Sequence, residues 1–150
     1  MTDYKTLIEK IKAVSSGIEY DITILANASA LIYETMDSLN WCGFYLWRND
    51  RLELGPFQGK TACTIIEKGK GVCGTSVSKN ETIVVEDVHK FQGHIACDSA
   101  SNSEIVIPLF VKGKIYGVLD IDSYVFNRFD ENDKNNLEQI VKLIEGYLEK

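Results

Sequence analysis

Apolar residues recur every three or four positions in three parts of the chain, which is the period of a helix with one buried face. The three stretches are residues 4–14, 21–36 and 130–149. Gly17 follows the first stretch and can end a helix, and Asp130 followed by Asp133 resembles an N-cap signal for the last. We therefore predict two helices at the start of the chain and one at its end.

Between these helices the apolar residues form short runs of strand length. The run WCGFYLW is apolar on both faces, as a central strand covered on two sides would be. The glycine-rich segment GKGVCGTSVSK predicts a loop that leads into a short helix. This order predicts an α+β fold, an antiparallel sheet with the N- and C-terminal helices packed on one face. The predicted strands are residues 41–47, 51–57, 61–67, 82–85, 105–111 and 115–121.

The last two strands form a predicted hairpin around Gly113, and its register decides where three acidic side chains point. A three-residue turn centred on Gly113 pairs Glu104 with Asp122. Because side chains alternate along a strand, Asp120 then projects from the same face as this pair. A two-residue turn at 112–113 instead moves Glu104 to the opposite face, so the grouping of the three acids depends on the turn.

Three carboxylates on one apolar face are costly unless a proton or a positive charge joins them. The two apolar runs of the hairpin contain no Arg or Lys. We therefore expect a cationic ligand, either a metal ion or an ammonium group. The alternative is that Asp120 and Asp122 lie in water at a frayed strand end.

Composition narrows the class of protein. The 150 residues, 45% of them hydrophobic, fit a single domain spanning 1–150 with a proper core. The net charge of -6 argues against nucleic acid as a partner. The chain opens without a secretory signal, and no apolar stretch approaches the roughly 20 residues of a membrane span. We expect a cytoplasmic protein that does not bind a membrane.

The cysteines are not expected to be permanent disulfides in a reducing compartment. Cys73 lies near the start of the short predicted helix, where the helix N-terminus favours a thiolate. His94 and Cys97 form one H-x-x-C pair, but the second pair of ligands that a zinc site needs is missing, so we predict no metal site. The four cysteines are Cys42, Cys63, Cys73 and Cys97.

Six short motifs carry a family resemblance. They are NWCGFY (40–45), GPFQG (55–59), GKGVCG (69–74), GHIACD (93–98), SNSEIVIP (101–108) and GVLDID (117–122). Together they resemble the free methionine-(R)-sulfoxide reductases, which are single GAF-domain enzymes. The resemblance extends from about Tyr4 to the end of the last helix and implies a GAF-like fold.

The resemblance also implies an activity. Members of that family reduce free methionine sulfoxide with cysteine thiols that thioredoxin regenerates, without a bound cofactor. The implied roles are Cys97 as nucleophile, Cys63 as resolving thiol and Cys73 as third redox cysteine. The implied substrate-binding residues are Trp41 and Tyr45 near the methylthio end, and Glu104, Asp120 and Asp122 at the polar end. A homodimer and a preference for the R sulfoxide are likewise implied.

The chemistry of these residue types agrees with such an activity. Crowded carboxylates keep at least one proton, so Glu104 or Asp122 can protonate the sulfoxide oxygen. The remaining acids can pair with the ammonium of a free amino acid, which a peptide-linked substrate lacks. Spacing leaves open whether Cys63 or Cys73 first forms a disulfide with Cys97.

Two other functions compete with catalysis. GAF domains also bind small molecules as sensors, and redox-active cysteines can switch an interaction surface. The aromatic run offers a weak indication of a pocket, because Trp41 and Tyr45 share a face and Gly43 between them can leave an open slot.

Overall fold

Four helices and six strands make up the part of the chain that the structure, a computed structural model, describes: residues 1–95, 97 and 99–149. Ala96 and Asp98 of the GHIACD motif lie outside the described residues. The elements in chain order are α1 (Tyr4–Ser15), α2 (Asp21–Thr35), β1 (Leu39–Arg48), β2 (Arg51–Gly59), β3 (Ile65–Ile66), α3 (Gly71–Lys79), β4 (Ile83–Val85), a 3-10 helix (Val88–Lys90), β5 (Ser103–Val111), β6 (Lys114–Ser123) and α4 (Glu131–Leu148).

The strands form one antiparallel sheet in the order β3-β2-β1-β6-β5-β4. Helices α1, α2 and α4 share one apolar core with one face of this sheet, and α3 packs on the other face. The predicted α+β architecture with both terminal helical regions on one face is therefore confirmed. Within the described residues, no helix is both long and apolar enough to cross a membrane.

The helix ends follow the expected signals. Gly17 takes a positive φ of 75° just after α1. Asp130 accepts a 2.8 Å hydrogen bond from the backbone N–H of Asp133, whose carboxylate accepts one of 3.1 Å from the backbone of Asp130. The same Asp133 accepts a 2.5 Å hydrogen bond from the Tyr4 hydroxyl, which joins α1 to the start of α4.

Two predicted strands in the middle of the chain have other bounds in the structure. Strand β2 continues two residues beyond the predicted 51–57, to Gly59, because Gly55 and Pro56 lie in a β-bulge that removes the need for a ladder N–H at Pro56. The predicted strand 61–67 shrinks to β3, which has two residues. Cys63 therefore lies in the loop before β3 and not in a strand of the sheet.

The turn of the last hairpin also differs from the prediction. Lys112 and Gly113 both have positive φ, 53° and 76°, and form a two-residue turn rather than a three-residue turn. A β-bulge at Tyr116 then shifts the register by one residue. Glu104 consequently pairs with Asp122, so the predicted register of the acids is confirmed although the predicted turn is wrong.

Candidate active site

A small cavity lies between the start of α3 and the ends of β5 and β6, on the sheet face that α3 covers. Its volume is about 30 Å³, which is enough to hold a water molecule. The side chains that line it include Tyr45, Cys73, His94, Cys97, Ser101, Glu104, Asp120 and Asp122.

The three carboxylates predicted from the hairpin register meet in this cavity. Glu104 is 7% exposed and Asp120 is 5% exposed. Burial, and then the charges of the neighbouring acids, raise the pKa of Glu104, and burial raises the pKa of Asp120 despite the hydrogen bonds that it accepts. Burial and the charge of Asp120 raise the pKa of Asp122. The cluster therefore retains protons at a pH where exposed carboxylates are ionised.

Two buried oxygen atoms of the cluster lack a hydrogen-bond partner among the described residues, Oδ1 of Asp120 and Oδ1 of Asp122. Buried carboxylate oxygens are normally paired, since an unpaired one loses its hydration without compensation. The cluster is thus arranged to accept a proton or a positively charged group.

Cys73 is the third residue of α3 and is buried beside the carboxylates. The expectation that the helix N-terminus favours its thiolate was wrong. Burial, followed by the charges of Asp120, Glu104 and Asp122, raises the pKa of the Cys73 thiol well above its ordinary value. Three nearby carboxylates and the loss of solvent outweigh the partial positive charge of one helix end.

A disulfide joins Cys63 to Cys97, with their Cα atoms 5.3 Å apart. The two half-buried cysteines come from the loop before β3 and the loop before β5, 34 residues apart in sequence. Cys42 and Cys73 are free thiols. Cys42 is buried on the opposite face of the sheet, among the residues that α1, α2 and α4 cover. The structure thus brings three of the four cysteines to one place and excludes Cys42.

The two aromatic residues of β1 lie on the same face of the sheet as the cavity, and only Tyr45 lines it. Trp41 and Tyr45 are stacked with their ring centroids 5.8 Å apart, and Phe57 stacks on Trp41 at 5.2 Å. The slot expected above Gly43 is not open, because a Cβ atom there would lie 2.8 Å from the Trp41 ring. Gly43 instead allows these rings to pack against the sheet, and Tyr45 lines the cavity.

The same two side chains anchor the Cys63 loop. The Tyr45 hydroxyl donates a 2.9 Å hydrogen bond to the backbone carbonyl of Cys63, and Trp41 Nε1 donates one of 3.1 Å to the carbonyl of Lys60. Both aromatic side chains are almost fully buried. Tyr45 therefore contacts both the cavity and the backbone of a disulfide cysteine.

Residues to which the sequence alone gave no role also border the cavity. Ser101 is buried, accepts a 2.9 Å hydrogen bond from the Asn40 side-chain amide, and hydrogen-bonds Asp122. His94 is partly buried, which lowers its pKa. Both residues belong to motifs that carry the family resemblance, which was the one available signal for them.

Comparison with known proteins agrees with the fold and the motifs. The GAF domain family model matches residues 22–148. A free methionine-R-sulfoxide reductase of Escherichia coli (strain K12) is 54% identical over 145 residues, which cover 97% of this chain and 88% of that protein. The structure of fRMsr of Staphylococcus aureus in its reduced form superposes with a TM-score of 0.96 at 53% identity, covering 99% of this chain and 96% of that one. The structure of fRMsr of Staphylococcus aureus in complex with substrate superposes with a TM-score of 0.95 at 52% identity, covering 99% of this chain and 97% of that one.

Proposed function

The chain belongs to the free methionine-R-sulfoxide reductases, enzymes built on the GAF fold, and from that premise we propose that it reduces free L-methionine-(R)-sulfoxide to methionine by cysteine thiol chemistry. One observation carries the proposal: the Cys63–Cys97 disulfide borders a cavity that is also lined by three carboxylates, of which Glu104 and Asp120 are buried. A thiol that attacks a sulfoxide needs a proton donor within reach of the sulfoxide oxygen. A sensor or a redox switch requires no such cluster.

The first step oxidises Cys97. The Cys97 thiolate attacks the sulfoxide sulfur while a carboxylic acid of the cavity protonates the sulfoxide oxygen. This attack forms a bond between the two sulfur atoms. The hydroxyl group then passes from the substrate sulfur to the Cys97 sulfur while the sulfur–sulfur bond and the sulfur–oxygen bond of the substrate break, so that methionine leaves and Cys97 becomes a sulfenic acid. The substrate sulfur gains two electrons and the Cys97 sulfur loses two.

The second step forms the disulfide. A second thiol attacks the Cys97 sulfur, the sulfur–oxygen bond of the sulfenic acid breaks, and the oxygen leaves as water. The Cys63–Cys97 disulfide supports Cys63 as this resolving thiol. Cys73 borders the same cavity and serves as the third redox cysteine. The dithiol of thioredoxin then reduces the disulfide by thiol–disulfide exchange and restores both thiols.

The raised pKa values of Glu104 and Asp122 support an acid role for one of these two residues. The remaining acids pair with the ammonium of the free amino acid, since Asp120 has a buried oxygen atom without a partner among the described residues. A methionine sulfoxide within a protein has an amide in place of that ammonium. Its binding would leave the buried acids uncompensated, so we expect it to be rejected.

A coupled assay tests this function. Purified protein is mixed with thioredoxin, thioredoxin reductase and NADPH, and NADPH consumption is followed with free L-methionine-(R)-sulfoxide or with a peptide-bound sulfoxide. Turnover of the free compound by the wild type and by Cys42→Ser, but not by Cys97→Ser, supports the proposal. Inactivity of the wild type with every thiol reductant would overturn it.

The oligomeric state belongs to the same proposal, because the family resemblance implies a homodimer. Light scattering coupled to size-exclusion chromatography measures the mass directly against the 16.9 kDa of one chain. A mass of one chain at assay concentration would contradict the homodimer without affecting the chemistry proposed for the cavity.

A further inference from the structure

Three side chains in the cavity have the arrangement of metal ligands. The Cys73 sulfur and one carboxylate oxygen each from Glu104 and Asp120 all lie within 4.8 Å of one another, and all three residues are buried. Tetrahedral zinc sites have metal–ligand distances of about 2.0 to 2.3 Å, so small side-chain adjustments bring these atoms into range. The three residues come from α3, β5 and β6, which hold them on regular secondary structure.

A second observation is a buried carboxylate oxygen in this group that has no hydrogen-bond partner among the described residues. Oδ1 of Asp120 is buried in a side chain that is only 5% exposed, and it has no hydrogen-bond partner in the described parts of the chain. None of the ion pairs found among those residues involves an acid of the cluster. An unpaired buried oxygen beside two further carboxylates is compensated when a positive ion binds.

We propose that the cavity binds a divalent transition-metal ion of the zinc type through Cys73, Glu104 and Asp120, and that the ion inhibits the enzyme. Only the inhibition rests on the proposed function. The ion would occupy two acids that are proposed to bind the substrate, and it would also occupy the thiol of Cys73, the third redox cysteine. The proposed site also revises the prediction of no metal site, which rested on the H-x-x-C pair, and adopts the metal ion that the three carboxylates had left open beside an ammonium group.

The donor set selects the class of metal. A thiolate with two carboxylates suits a borderline-soft ion such as Zn²⁺, whereas Mg²⁺ and Ca²⁺ require oxygen ligands throughout. On binding, the Cys73 thiol releases its proton to solvent and its sulfur donates to the metal. Three protein ligands leave the fourth position of a tetrahedral ion for water.

The site does not require the reduced enzyme. Cys63 and Cys97 are bonded to each other, yet Cys73 remains a free thiol in the same cavity. The volume of about 30 Å³ accommodates an ion. Metal binding can therefore be measured on the disulfide form, in which no turnover occurs.

The experiment uses cobalt as a spectroscopic probe on the oxidised protein. CoCl₂ is added to the wild type, Cys73→Ser, Asp120→Asn and Cys42→Ala, and the thiolate-to-cobalt charge-transfer absorption is recorded in the near ultraviolet. We expect the band in the wild type and in Cys42→Ala, which lacks the other free thiol, and its loss in Cys73→Ser. Absence of the band from the wild type, or its persistence in Cys73→Ser, would overturn the site.

Affinity for ZnCl₂ is measured on the same proteins by competition with a chromophoric chelator. Asp120→Asn keeps the shape of the side chain and is expected to weaken Zn²⁺ binding by about tenfold or more. Equal affinity of Asp120→Asn and the wild type would contradict the ligand set. These readouts do not depend on turnover, so failure of the metal site and failure of the reductase function are separable.

Inhibition is measured last, on the reduced enzyme, as single-turnover methionine formation with and without ZnCl₂, and with MgCl₂ as control. We expect Zn²⁺ to suppress methionine formation by about tenfold or more, with Mg²⁺ having no effect. Undiminished methionine formation at a Zn²⁺ concentration that saturates the cavity would overturn the inhibitory role.

Discussion

The hydroxyl of Tyr45 on β1 donates a 2.9 Å hydrogen bond to the backbone carbonyl of Cys63, the cysteine that is disulfide-bonded to Cys97. The central strand of the sheet thus fixes the loop of the proposed resolving thiol. Trp41 strengthens this anchor through its hydrogen bond to the carbonyl of Lys60. The family resemblance implied that both aromatic residues bind substrate, and the structure adds a contact through which they position a thiol.

Replacing Tyr45 with Phe should slow disulfide formation more than it slows the attack on the sulfoxide. Loss of one neutral hydrogen bond removes about 1 kcal/mol of the interaction energy that positions Cys63. This corresponds to roughly a fivefold lower rate of disulfide formation. Rapid mixing of reduced protein with substrate, followed by trapping of the Cys97 sulfenic acid with a dione reagent, measures both steps. Tyr33→Phe, on α2 and the opposite side of the sheet, is the control. An unchanged sulfenic acid lifetime in Tyr45→Phe would contradict the anchoring role.

The carboxylate cluster should make the protein less stable as the pH rises. Burial, with the charges of its neighbours, raises the pKa of Glu104 above its ordinary value of 4.5, so this group favours the folded state when it is protonated. That stability is complete below the pKa of the unfolded chain and is lost as the pH rises through the folded pKa. Glu104→Gln should remove this loss and increase the free energy of unfolding at pH 8 by about 1 kcal/mol or more.

Urea unfolding at pH 5 and pH 8 measures this effect, with Glu81→Gln as the control at an exposed position. The difference between Glu104→Gln and the wild type should be larger at pH 8 than at pH 5. The burial argument fails if Glu104→Gln is less stable than the wild type at both values.

The Cys73 thiol should react slowly with alkylating reagents, and removal of one neighbouring charge should speed the reaction. Burial raises the pKa of this thiol first, and the charge of Asp120 raises it further. Asp120→Asn should therefore increase the alkylation rate of Cys73 in the oxidised protein by several-fold at neutral pH, whereas Asp50→Asn in the β1–β2 turn should not. Mass spectrometry of iodoacetamide-treated protein over time reports both rates. Equal rates in the wild type and Asp120→Asn would contradict the contribution of the Asp120 charge.

The disulfide form should not bind substrate. With Cys63 and Cys97 joined, the cavity has a volume of only about 30 Å³, and we expect a free amino acid to require more space than this. Calorimetric titration with free methionine sulfoxide should show binding to reduced Cys97→Ser, which cannot form this disulfide, and none to the oxidised wild type. Binding of equal affinity to both proteins would mean that the substrate occupies another site.

The hairpin between β5 and β6 illustrates what the sequence could predict. Alternation placed Glu104, Asp120 and Asp122 on one face, and they lie together in the structure. The turn itself was predicted incorrectly, because the bulge at Tyr116 compensates for the two-residue turn. The hydroxyl of Tyr116 donates a 3.2 Å hydrogen bond to Asp21 at the start of α2, a tertiary contact that no local pattern encodes.

The position of Cys63 was also beyond the local pattern. The run TACTIIE has the apolar content of a strand, but only Ile65 and Ile66 pair with β2. Thr64 accepts one backbone hydrogen bond from Leu54 of β2, and Cys63 accepts the hydrogen bond from the Tyr45 side chain of β1. Periodicity detects burial and alternation along one segment, and it does not detect a loop fixed by a side chain from elsewhere in the chain.

The most direct measurement is a single turnover without reductant. Fully reduced protein is mixed with excess free L-methionine-(R)-sulfoxide, the methionine formed is counted per chain, and the disulfide is mapped by mass spectrometry. We predict about one methionine per chain together with a Cys63–Cys97 disulfide, and none in Cys97→Ser. Absence of methionine from the wild type, or equal formation by Cys97→Ser, would contradict the proposed reductase chemistry.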